Sequence, residues 1–203
     1  MPTITALEVQ KKNSRRISVF IDDEYAFSVF DELAHVYHLE IDKDINTVDL
    51  KALTFEDEYK RAFARAVKNL SQSEKSQKQI FDLLIKNGFS QKVISRVISR
   101  LTELDYISDE RFATEFALKN NSLGVRAIKV KLKQKGIADE IIEEALADKD
   151  ETSAATELAK KLMQKHASLD ELNRKKKISD FLARRGFSWD TISYAISCAQ
   201  EEE

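Results

Sequence analysis

Few side chains in this sequence are placed to make or break bonds. His35 and His38 stand three residues apart, as helix-borne metal ligands can, but the third histidine is His166 and no nearby carboxylates complete a zinc spacing. One exposed and one partly buried imidazole is the expectation. Cys198 lies in an apolar stretch, 194–199, with no histidine beside it, and reads as a small core residue, not a thiolate nucleophile. The carboxylate pairs Asp109/Glu110 and Glu143/Glu144 are neighbours along helices and face different directions, which suits a solvated surface better than acid–base work. The four glycines, Gly88, Gly124, Gly136 and Gly186, are too dispersed for a phosphate loop or a dinucleotide fingerprint, the nearest pair being 12 residues apart. No catalytic residue, cofactor site or metal site is expected.

The basic side chains offer binding chemistry instead. Arg126, Lys129, Lys131, Lys133 and Lys135 stud one segment without an intervening acid. Arg174, Lys175, Lys176, Lys177, Arg184 and Arg185 stud another, interrupted only by Asp180. Charged helix faces are ordinarily just solvated. Their recurrence on the same helix of two repeats, described below, shifts the reading towards an anionic partner surface, either phosphate or an acidic protein patch. The net charge of −2 conceals this, because residues 1–58 hold 6 basic and 13 acidic side chains whereas 59–203 hold 27 and 22.

The elements that must carry these residues follow from the pattern. A chain of 203 residues, 42% apolar and one-third charged, with four glycines and one proline, reads as mainly helical with charged outer faces. It has no run of 18 apolar residues, no apolar signal core and a single cysteine, so a soluble cytoplasmic protein is expected. Strand alternation is confined to the first 30 residues: Thr3, Thr5, Leu7 and Val9; Ile17, Val19 and Ile21; Tyr25, Phe27 and Val29. Polar turns at 11–16 and 22–24 make this a small antiparallel meander. A short helix from Asp31, capped by it, covers the sheet, and Thr47 is expected to cap one or two helices running towards Leu70.

Beyond residue 59 the glycines mark a repeat. Gly88, Gly136 and Gly186 lie 48 and 50 residues apart in one frame. Eight residues before each stand Ile80, Ile128 and Ile178, four before stand Leu84, Leu132 and Leu182, and directly after come Phe89, Ile137 and Phe187. Six residues after stand Ile94, Ile142 and Ile192; ten after stand Ile98, Leu146 and Ile196. Each frame predicts a helix ended by a left-handed glycine, then a second helix capped by Ser90, Asp139 or Ser188. A preceding helix supplies Phe63, Ala66 and Val67; Phe112, Ala113 and Phe116; or Ala155, Leu158 and Ala159. Each unit is therefore three helices, and because a bundle of about 48 residues has a marginal core, an elongated, curved stacked array is expected. The helix pair also has helix-turn-helix spacing, but Asp139, Glu140, Glu143 and Glu144 would face phosphate from the reading helix, which argues against sequence readout.

The string 106–113, Tyr-Ile-Ser-Asp-Glu-Arg-Phe-Ala, then Gly124 with Ile128, Leu132 and Lys135-Gly136-Ile137, then Leu182-Ala-Arg-Arg-Gly-Phe187, resembles the RecX regulatory proteins of bacteria. In that string Ser108 or Asp109 caps a helix, and Phe112 enters the core. The resemblance is strong over 59–199 and looser before it. It implies a β-rich N-terminal region over 1–58 and three-helix repeats over 59–105, 106–150 and 151–200. It further implies a monomeric, non-enzymatic regulator in recombinational DNA repair and the SOS response. Such a protein binds the RecA filament in its groove and restrains ATP hydrolysis and strand exchange, with Gly88, Gly124, Gly136, Gly186, Asp109 and Phe112 as repeat scaffold. Where relatives carry two arginines early in the first repeat, this chain has Ser73 and Lys75 before Ser76 and Gln79, which weakens any contact made there. Relatives with further repeats extend past the third; here three glutamates, Glu201, Glu202 and Glu203, follow it. Replacing Lys129, Lys133, Arg184 and Arg185 by alanine is expected to weaken filament binding and flatten its salt dependence. The alternatives are a RecA-independent, sequence-nonspecific binder of single- or double-stranded DNA, and a helical scaffold for another protein.

Overall fold

The computed structural model describes residues 1–201; Glu202 and Glu203, the end of the terminal acidic run, lie outside the described residues. Three strands, β1 (Ile4–Gln10), β2 (Asn13–Ile21) and β3 (Glu24–Phe30), form an antiparallel sheet in that order. The first turn is tighter than its polar composition suggests. Gln10 pairs with Asn13, so 13–16 belong to β2 and only Lys11 and Lys12 turn. At the second turn Asp22 and Asp23 take φ of +48° and +66°, the left-handed pair whose twist matches a hairpin. Val19 and Val29 point onto Leu33 and Ala34 of α1 (Asp31–Val36) and onto Leu53 of α2 (Leu50–Leu70). A sheet this small needs that cover.

Two caps differ from expectation. Asp31 is the first helical residue, Phe30 stands at the cap position of α1, and no side chain caps it. Thr47 ends a short 3-10 turn and its hydroxyl donates back to the Asp44 carbonyl, so it is Asp49 that accepts the Ala52 N–H at 3.0 Å and opens α2. From there α2 runs unbroken for 21 residues. His35 and His38 are both exposed, and Cys198 is half-buried, outside the apolar centre of its helix.

Nine helices form the three repeats among the described residues. The first comprises α2, α3 (Gln77–Lys86) and α4 (Gln91–Glu103); the second α5 (Asp109–Lys119), α6 (Val125–Gln134) and α7 (Asp139–Leu146); the third α8 (Glu151–Lys165), α9 (Glu171–Arg184) and α10 (Trp189–Glu201). The second helix of each ends on its glycine at φ of +81°, +82° and +83°. The N–H one residue past the glycine then reaches back to the Leu84, Leu132 or Leu182 carbonyl, satisfying an orphaned helix-end acceptor. Ile80, Ile128, Ile178 and the three leucines are wholly buried. Asp139 does not cap α7; it is the first helical residue, after Ala138. At Ser90 both the N–H and the hydroxyl are taken by the Glu58 carboxylate of α2, whereas the Ser188 oxygen accepts the Thr191 N–H.

By chain contact the molecule divides into two compact units. One comprises Met1–Ser73 and Phe81–Glu103; the other comprises Glu74–Ile80 and everything from Leu104 onward. In the first, Asp57 of α2 is buried and accepts from Arg16 of β2, the Phe30 N–H and Arg61 at 3.0, 3.2 and 2.9 Å.

Candidate anion-binding surface

Within the second unit the repeats are joined the same way twice. The residue 12 before each repeat's glycine, Ser76 or Gly124, docks on the turn of the next repeat. The Ser76 hydroxyl donates to the Lys135 carbonyl at 2.7 Å, and the Gly124 N–H to the Arg185 carbonyl at 2.9 Å. Ser76 is also the start of a capping box: its oxygen accepts the Gln79 N–H while its own N–H donates to the Gln79 side chain. The Ser-x-x-Gln spacing was a signal for this that sequence reasoning passed over. Gly124 has ordinary φ, and its reason for being glycine is proximity: a Cβ there would lie 2.3 Å from the Gly186 oxygen.

Acids at the head of the following repeat complete each joint. Asp109 accepts the Gln77 N–H at the start of α3, and Glu151 accepts the Val125 N–H at the start of α6. Both face a positive helix end. Burial dominates at Asp109 and raises its carboxyl above the usual range. Burial also pushes Glu151 up, but bonds from Val125, Thr191 and Ser188 outweigh it and hold that carboxyl below the usual range. Ser108, not Asp109, caps α5, and Phe112 is buried in the second repeat's core.

The eleven basic residues sort into classes. On α6, Lys129 pairs with Glu143 and Lys133 with Asp139 at 2.8 Å, and the latter contact raises the Lys133 ammonium above its usual value. On α9, Lys175 pairs with Glu171. Lys135 lies over the rings of Phe112 and Phe116, Arg185 over Phe181, and Arg185 also donates to the Ser122 carbonyl at 3.2 Å. The main-chain carbonyls of these two are the acceptors in the two repeat joints. Arg174 is half-buried at the head of α9. Arg126, Lys131, Lys176, Lys177 and Arg184 are exposed, and none makes an ion pair among the described residues. Lys177 and Arg184, seven apart, share one helix face. Five free cations can bind anionic groups by direct contact and counterion release.

No group of three or more histidine, cysteine, aspartate or glutamate residues converges to hold a metal among the described residues, and no helix there is long and apolar enough to cross a membrane. Lys149 is the one partly buried lysine whose ammonium burial pulls below its usual value among the described residues. It donates to the Ala117 carbonyl and the Asn121 side chain, tying the connection after α7 to the C-terminal end of α5.

Known proteins share this organisation throughout. The pattern of the regulatory protein RecX N-terminal domain matches residues 2–46, and those of the first, second and third RecX three-helix domains match 62–101, 108–146 and 149–196. The regulatory protein RecX of Bacillus subtilis strain 168 is 36% identical, over all of this chain and 79% of its own length. The chain belongs to the RecX family. The Clostridium tetani RecX is 35% identical over 96% of this chain and 93% of its own. The crystal structure of a regulatory protein RecX superposes over 97% of this chain and 99% of its own with a TM-score of 0.72 at 22% identity. The RecX of Lactobacillus salivarius does so over 72% of this chain and 99% of its own, with a TM-score of 0.67 at 28% identity. The mainly helical repeat fold with an N-terminal meander is thus that of a regulatory family.

Proposed function

We propose that this member of the RecX family is a non-enzymatic, monomeric cytoplasmic regulator of recombinational repair that binds the RecA filament on DNA and restrains its ATPase and strand exchange. Similarity along the whole of this chain to proteins named for regulation supports a regulatory role, and the observation that carries the binding mode is the set of five unpaired cations on α6 and α9. An anionic filament surface, DNA phosphate or acidic protein, is what such groups attract. Lys135 and Arg185 serve this indirectly, by fixing the ends of the two basic helices to the repeat joint.

The test is RecA ATPase on single-stranded DNA with the protein titrated in. Inhibition or filament disassembly at equimolar amounts is expected; neither occurring refutes the reading. A gel shift on naked DNA at physiological salt runs beside it. Tight binding without RecA favours the nonspecific DNA-binding reading instead.

A further inference from the structure

The second and third repeats differ where their last two helices face each other. In the second repeat, Lys129 and Lys133 of α6 cross to Glu143 and Asp139 of α7 and close the seam with two ion pairs. The equivalent positions in the third repeat, counted from the glycine, are Ser179 with Ser193 and Ala183 with Trp189. No ion pair can form there. The seam is instead an open groove of about 570 Å³ lined by those four residues, with Ile192 and Ile196 below and Leu172 at one end. Trp189 is 66% and Leu172 79% exposed, a large apolar area for a surface helix pair.

We propose that this groove docks an acidic amphipathic helical segment of a partner protein, its aliphatic side chains seated between α9 and α10. The floor is aliphatic, which aliphatic anchors fill and a stacked nucleobase does not, and Trp189 supplies the kind of aromatic wall that concentrates binding energy. Charge selects the occupant. On the groove's lining Lys175, already paired with Glu171, and Lys176 stand against Asp180, the one carboxylate there among the described residues, and α10 brings no charged side chain to it. Lys176 makes no ion pair among the described residues and so meets a partner's glutamate without first breaking a bond.

Trp189 is the chain's only tryptophan, so its emission reports the groove directly in the intact protein. The probes are a synthetic helical peptide with leucines at i, i+3, i+4 and i+7 and glutamates beside them, the same peptide with lysines for glutamates, and oligo-deoxythymidine. A saturable blue shift with the glutamate peptide is expected, about tenfold weaker with the lysine peptide, one like-charge contact's worth. Ser179→Lys with Ser193→Glu, which installs the second repeat's closing pair, reduces binding at least about tenfold at unchanged helicity. Lys176→Glu, a surface change that leaves the fold intact, reverses the peptide preference. Equal affinity for the two peptides, no saturable shift, indifference to Lys176→Glu, or tighter binding of the oligonucleotide than of the glutamate peptide each overturns the proposal.

Discussion

Glycine does three different jobs in this chain, and substitution separates them. At Gly88 an added Cβ meets nothing within 4 Å, so Gly88→Ala costs only the left-handed backbone, about 1–2 kcal/mol. At Gly186 the same strain is joined by a Cβ only 2.5 Å from the Ala127 nitrogen, and Gly186→Ala should cost roughly 3 kcal/mol or more. At Gly124 there is no strain, only the collision with the Gly186 carbonyl, and Gly124→Ala should fall between them at roughly 1–3 kcal/mol. Urea denaturation of the three variants checks the order. Glu151 gives a pH test at the same scale. Its carboxyl is held below the usual range, so its contribution is fully present above the unfolded-state pKa and is lost as pH falls through the lower folded value. Glu151→Gln should therefore be about 1 kcal/mol less stable than the parent at pH 7, with the gap shrinking below about pH 4. Melts across pH 3–7 that keep a constant gap would show that the charge is not what matters.

At the level of helices, the sequence announced the repeat frame because its parts obey local rules. A glycine ending a helix, an isoleucine eight before it and a leucine four before it each leave a mark in one dimension. The joint between repeats left far less. Apart from the Ser76 hydroxyl and the Asp109 and Glu151 carboxylates, it is made by the Gly124 N–H and the carbonyls of Lys135 and Arg185, main-chain groups that every residue type carries there. The free and paired cations were equally hidden, since Lys129 and Glu143 are 14 residues apart and meet only through the crossing of α6 and α7. Two multiple variants now divide the stripe by role. Replacing Arg126, Lys131, Lys176, Lys177 and Arg184 by alanine should weaken filament binding and lower the slope of log K against log salt by close to one per phosphate contact removed. Replacing Lys129 and Lys133, already neutralised by acids, should change that slope far less. Anisotropy titrations over a salt series measure both, and equal slopes for the two variants would remove the distinction.

On the scale of the whole molecule, α2 is the element that decides what folds with what in the first unit. Its early turns give Leu53 to the core beneath the sheet, its later turns give buried Ala62 and Ala66 to the first repeat, and Asp57 sits between them. That carboxylate is 5% exposed and holds Arg16, itself largely covered, together with the Phe30 N–H and Arg61. Asp57→Ala leaves the Arg16 guanidinium covered without its counter-charge and an N–H without its acceptor. Losing one partner of a buried pair costs about 3–5 kcal/mol, far more than any exposed ion pair in this chain contributes. Asp57→Asn retains an acceptor for the Phe30 N–H and should cost less. Because Asp57 belongs to one compact unit, its loss should raise amide exchange in β1–β3 and α2 and leave α5–α10 close to the parent, whereas Gly124→Ala should do the reverse. Exchange rising uniformly along the chain in either variant would mean that the two units open as one, and would make the N-terminal sheet a partner in the stability of the basic repeats.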